Sequence, residues 1–345
     1  MKVAVGKYKW VIYLSFMLFL ILSGNETRTY AQEGIQICLQ SAIPSLFPFI
    51  LLSGQLIGNV PHSKTRNSRI ISKTLCVPRG SELLLLLGYL GGYPIGAQIV
   101  NGSYSAGRLQ KGAARRMLIL CNNAGPSFLF GVVAQQFDRP IIAWVLWGVM
   151  IISSITTALI MPRDPAITEQ VCTPVKTVRS SLYSAIKSMG LICGWIVIFR
   201  VILGFADNIC LSRFPTTVRI LISGFLELTN GCIGLAQITE ELNRFLVASF
   251  LLSFGGICVT MQTATAVHDL GMTGYLPGKI LQGCISCILC IVVQPLLFPG
   301  TQQLHHIFIG AVAVTLGFSV LLYFKYCKEW SRFSGKSIVY CTVRT

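Results

Sequence analysis

The sequence predicts an all-α polytopic membrane protein, with about eight transmembrane helices plus two re-entrant hairpins in an inverted-repeat, transporter-like fold. Three observations predict it. Only 12% of the 345 residues are charged, against 53% hydrophobic, and soluble domains carry about 25% charged residues. The missing charge is concentrated in stretches such as 35–60, 140–162, 181–206, 245–267 and 280–300, each long enough to cross a hydrocarbon core of about 30 Å. Lys and Arg also gather on one side of those stretches, the bias that orients membrane proteins.

Taken in order, the first apolar run is 8–24, behind Lys2, Lys7 and Lys9. It reads as a signal anchor or a cleaved signal peptide, and both leave residue 25 outside. Residues 25–34 complete this N-terminal segment as an external loop. The first repeat, 35–162, comprises a span at 35–60, a re-entrant stretch at 82–101 and spans at 117–137 and 140–161. A cytoplasmic linker, 163–180, leads to the second repeat, 181–300. That repeat has a span at 181–206, a re-entrant stretch at 219–237 and spans at 245–262 and 280–298. Residues 301–345 hold a final helix near 307–325 and a basic tail. The element order is the same in both repeats and the direction is reversed. Short matches accompany it: SAI at 41–43 and 184–186, and Gly-aromatic-Leu at 88–90 and 224–226.

With this topology, 22 of the 28 Lys and Arg residues lie on the side of the termini, Lys279 among them, and both termini are expected in the cytoplasm of a bacterial cell. The net charge of +16 is thereby explained by insertion, and a nucleic-acid partner is not expected. Most of the 13 cysteines fall in apolar segments, where a thiol acts as a small hydrophobe. Cys284, Cys287 and Cys290 form CxxCxxC within one helix and lack the second cluster that a metal site usually needs. No cofactor or metal is expected. The four histidines include none inside an apolar span beside a nucleophile, and no enzyme constellation is visible.

Helix breakers mark the candidate site. GYLGGYPIGA (88–97), CNNAGPSF (121–128), GFLELTNG (224–231) and SFGGICVTMQ (253–262) each interrupt an apolar run. Non-helical backbone at membrane depth is tolerated only inside protein or beside a water-filled cavity. Close helix packing on glycine explains Gly88 or Gly255-Gly256, but neither Asn122-Asn123 beside Gly125-Pro126 nor Glu227 with Asn230. The candidate substrate-binding residues are therefore Gly91, Gly92, Tyr93, Pro94, Asn122, Asn123, Gly125, Glu227, Thr229, Asn230 and Gln262, with Arg200. Arg200 and Glu227 are ionisable residues in apolar context, which usually face the interior with a partner. For Arg200 the sequence leaves three readings open: contact with substrate, a pair with Glu227, or snorkelling to the outer surface. Asn122, Asn123 and Glu227 are expected to matter for transport and not for folding.

GYLGGYPIGAQIV, the basic loop and AARRMLILCNNAGPSFLFGVV, with SLFPFILLSG before them and GFLELTNG and LLSFGGICVTMQ in the second half, resemble the stage V sporulation integral membrane proteins of the YlbJ type. The resemblance covers roughly residues 35–300. It implies the Gate or "nucleoside recognition" domain and an architecture similar to concentrative nucleoside transporters. It also implies a role in spore formation, moving dipicolinic acid across the mother-cell-derived outer forespore membrane. One departure stands out. The family usually carries an acidic residue beside the Arg before this segment, and LQKGAARRML has none, which leaves Arg115 or Arg116 without that partner.

The chemistry of the site suits such a substrate. Helix N-termini at broken segments present free N–H groups to carboxylates, and Asn122, Asn123, Thr229, Asn230 and Gln262 add donors. The same donors would serve a nucleoside-like substrate. Three functions stay open on sequence grounds: transport of dipicolinate or a related small anion, transport of a nucleoside or other small metabolite, and a non-transporting sporulation protein acting by partner contact. A coupling ion, proton or sodium, is compatible with the first two.

Overall fold

Glycine, proline and asparagine inside apolar runs set the architecture. The computed structural model describes residues 9–59, 72, 75, 77–78, 81–105, 107, 109–161, 178–267 and 270–299. The termini, the helix expected at 307–325, and most of the loop 61–81 and of the linker 163–180 lie outside these. All regular structure among the described residues is helical, and six helical segments are long and apolar enough to cross a membrane.

The chain opens with α1 (Lys9–Leu22) and α2 (Gly24–Ile37). The sequence reading placed a loop at 25–34; the chain is helical there. The bend between α1 and α2 is confined to Ser23, and it is sharp: Phe19 and Tyr30, eleven residues apart, both pack edge-on against Phe205. A straight helix would separate them by about 16 Å. A π-helical turn (Cys38–Ala42) then joins α2 to α3 (Ile43–Asn59).

Next come α4 (Glu82–Gly91) and α5 (Ile95–Ser105), which pack on each other as the first hairpin. The following span is broken: α6 (Lys111–Cys121), an extended stretch at 122–125, the short α7 (Pro126–Phe128), and π and 3-10 turns to Gln136. An unbroken helix, α8 (Pro140–Ile160), closes the half. The same order recurs with α9 (Val178–Ile209), a hairpin of α10 (Thr216–Leu226) and α11 (Leu228–Gly234), a broken pair of α12 (Glu241–Phe254) and α13 (Gly256–Ala266), and an unbroken α14 (Tyr275–Leu297).

Two breaks require glycine. Gly92, at the tip of the first hairpin, has φ +71°, and a Cβ on it would lie 2.4 Å from the backbone nitrogen of Gly125 in the broken span. Hairpin tip and helix break therefore meet backbone to backbone. Gly255, with φ +86°, ends α12, and a Cβ there would meet the Tyr93 hydroxyl at 2.6 Å.

The core packs α8, α12 and α14 together, while α2 and α3 lie along α9. Large apolar side chains stay exposed on the outer helices, among them Trp144 and Ile152 on α8, Ile186 and Ile198 on α9, and Val292 and Leu296 on α14. A water-facing surface rarely carries so much contiguous apolar area; the acyl chains of a bilayer accept it without cost.

Candidate functional site

Four breaks converge on one small enclosed space. Tyr93 from the first hairpin, Gly125 and Phe128 from the first broken span, Glu227, Leu228 and Thr229 from the second hairpin, and Val259 and Gln262 from α13 line a cavity of about 40 Å³. Leu46 and Ile192 complete its apolar wall. This volume holds about one water molecule. Five residues singled out by sequence thus meet at one point. Gly91, Gly92 and Pro94 are buried around Tyr93 and shape its turn.

Glu227 sits in extended conformation (φ −140°, ψ 116°) between α10 and α11, where it caps α11. Its Oε2 accepts from the Asn230 backbone N–H at 2.7 Å and from Asn230 Nδ2 at 2.8 Å. A carboxylate at a helix N-terminus satisfies orphan donors and complements the positive end of the dipole. Asn230 in turn lines a second, far larger cavity.

That larger cavity, about 590 Å³, lies between α2, the end of the first broken span, α9 and the second hairpin. Its wall is polar: Glu33, Gln36, Gln40, Gln136, Gln237 and Ser223 surround Arg200 and Asn230, with Asp207 and Arg219 at the exposed rim. Its size is typical of a small-molecule site. The Glu227–Asn230 link is the boundary between the two cavities, since one residue lines each. The glutamines were missed in the sequence. Gln36 and Gln40 are four apart within the span read at 35–60, and two polar side chains at that spacing on one helix are the signal that could have found them.

Arg200 is not paired with Glu227. It donates from Nε and Nη2 to Glu33 on α2, at 2.9 and 2.5 Å. Snorkelling does not describe it either, because its head faces the large cavity.

Asn122 and Asn123 line neither cavity. Both are fully buried at the break of α6. Asn122 Nδ2 donates to Thr263 Oγ1 (2.8 Å) and Tyr275 Oη (2.7 Å). Asn123 Oδ1 accepts from Gln282 Nε2 (2.8 Å) and from Lys279 Nζ (3.0 Å). Lys279 corrects the sequence reading: counted there as a cytoplasmic anchor, it lies one turn inside α14 with no exposed surface. A lysine near a span end ordinarily extends to water; this one turns inward because the α6 break offers it oxygen ligands.

The basic pair within α6 bonds main-chain carbonyls. Arg116 donates to the carbonyls of Leu75 (2.5 Å), Met161 (3.2 Å) and Ala158. The last two belong to the C-terminal end of α8, whose free carbonyls and negative dipole end favour a cation. Arg115 donates to the Leu270 carbonyl.

No protein-family model matches the chain, and no solved structure matches it. A curated protein does: it is 21% identical over 356 aligned positions, spanning 88% of this chain and 87% of its relative, the sporulation integral membrane protein YlbJ of Bacillus subtilis (strain 168). The chain is similar to YlbJ over most of its length. The alignment with YlbJ runs through most of both chains, so the shared part includes the four broken segments and both cavities' walls in large measure. YlbJ is named as an integral membrane protein of sporulation, and the exposed apolar faces of α8, α9 and α14 fit that setting.

Proposed function

We propose that this chain is a permease of the sporulating cell that moves a small anionic metabolite of the dipicolinate type across the outer forespore membrane. The observation that carries the reading is the convergence of all four helix breaks on one enclosed cavity, beside a polar cavity of ligand size. Packing alone would not require two interrupted spans and two hairpins to meet. Polar backbone at membrane depth belongs next to a pathway.

In this reading the two halves are inverted repeats with the substrate path at their interface, and both termini face the cytoplasm. The recurrent order of unbroken helix, hairpin, broken span and unbroken helix supports it. The large cavity holds the substrate on one side of the hairpin tips, where Arg200 and the glutamines present donors to carboxylates. Passage between that cavity and the opposite side, past Glu227, occurs only when the hairpin tips separate, because the inner cavity is too small for the substrate.

Uptake of labelled dipicolinate into liposomes containing the purified protein tests the proposal. Saturable uptake above that of empty liposomes is expected. Protein-independent accumulation, or saturable uptake of nucleosides and none of dipicolinate, would refute this substrate class.

A further inference from the structure

Lys279 is the most deeply buried charge-bearing group in the described residues, and the transport reading does not use it. Its Nζ donates to the backbone carbonyl of Asn122 (3.1 Å), to Asn123 Oδ1 (3.0 Å) and to Gln282 Oε1 (2.7 Å). The Tyr93 ring lies 5.5 Å away. An ammonium has three N–H donors and no acceptor, and here it meets three oxygens. No carboxylate lies within ion-pair distance of it among the described residues.

The origin of the oxygens matters. Asn122 caps the C-terminal end of α6, where the helix dipole is negative and carbonyls lack intrahelical partners. Asn123 continues the unwound stretch. An aromatic face adds attraction for a cation. Carbonyl oxygens that replace a hydration shell and unwound backbone at a broken helix are the general means of holding a bare monovalent cation within a membrane protein. The three oxygens at 2.7–3.1 Å from Nζ form such a set.

We propose that the break in α6 is a monovalent-cation site that the chain fills with its own ammonium, Lys279, so that no free sodium or potassium ion is bound there. Gln282 holds the set in shape, since its amide also donates to Asn123 Oδ1 (2.8 Å). The ammonium is tethered and cannot diffuse away, so the break keeps its geometry without an exchangeable ion. The inference is independent of the substrate, because it concerns what stabilises the break.

Thermal unfolding of the purified protein in detergent tests it, at equal ionic strength in sodium, potassium, ammonium or choline chloride. The unsubstituted protein is expected to melt at one temperature in all four salts. Lys279→Ala opens the site. It should melt lower in choline and recover by about 2–3 °C in sodium, potassium or ammonium at ten times the dissociation constant. Should Lys279→Ala fail to accumulate, Lys279→Gln keeps the volume without the charge and is measured in the same way. A substituted protein indifferent to the identity of the cation overturns the proposal. So does an unsubstituted protein stabilised by sodium or potassium over choline.

Discussion

Arg200 bonds Glu33 through two nitrogens on a single carboxylate oxygen, which ties α9 to α2 at the wall of the large cavity. Both side chains remain partly open to solvent, at 27% and 41%. Pairs this exposed contribute about 0.2–1 kcal/mol, so the bridge is a weak fastening. Arg200→Leu is therefore expected to leave the membrane level of the protein near normal while abolishing dipicolinate uptake. Arg200→Lys should retain part of it. Uptake and membrane abundance, measured together, check both. Normal uptake by Arg200→Leu removes this arginine from the site.

Asn123 belongs to a different class. The sequence favoured a transport role without a folding role; its bonds to Lys279 and Gln282 tie it to the fold. Asn123→Ala strips an acceptor from two fully buried groups, a loss on the order of 3 kcal/mol. The expected outcome is a sharp fall in folded protein, read by fluorescence-detected gel filtration. A well-folded, transport-dead Asn123→Ala would restore the original expectation.

Glu227 separates capping from transport. Glu227→Ala removes the cap of α11 and should cost about 0.5–2 kcal/mol. Glu227→Gln keeps an acceptor for Asn230 and should remain close to normal in stability. If Glu227→Gln also transports normally, the carboxylate serves only the helix end.

Gly92→Ala should fail to fold. It combines strain at positive φ with an overlap against Gly125 backbone that no side-chain rotation relieves, together about 3 kcal/mol or more. Gly102→Ala, whose added methyl meets nothing within 4 Å, is the control and should be neutral in the same melting assay.

The orientation is testable at two exposed described positions. In a background without the 13 cysteines, Arg213→Cys should react with an impermeant external maleimide in intact cells, and Lys111→Cys should not. The reverse pattern would invert the topology.

The broken spans were legible because Gly-Tyr-Pro, Asn-Asn-Ala-Gly-Pro and Phe-Gly-Gly within apolar runs have no helical solution. Lys279 was not. Its position a few residues before an apolar run matches that of an interfacial anchor, and only the fold brings the α6 break to it. Helix α2 was hidden for a related reason: NETRTYAQEG is polar enough to read as loop, although its polarity faces the large cavity in part. The partners of Arg116 were equally unreadable, since main-chain carbonyls leave no mark on a sequence.

The contrast between the two cavities has an electrical consequence. Water filling the large one conducts the potential of the adjoining solution deep into the protein, whereas the space beyond Glu227 holds about one molecule. Nearly all of a membrane voltage then falls across the short septum formed by the hairpin tips. A charge crossing that septum does work of about 2.3 kcal/mol per 100 mV, so under the proposed permease function the passage of an anion past Glu227 would be the voltage-sensing step.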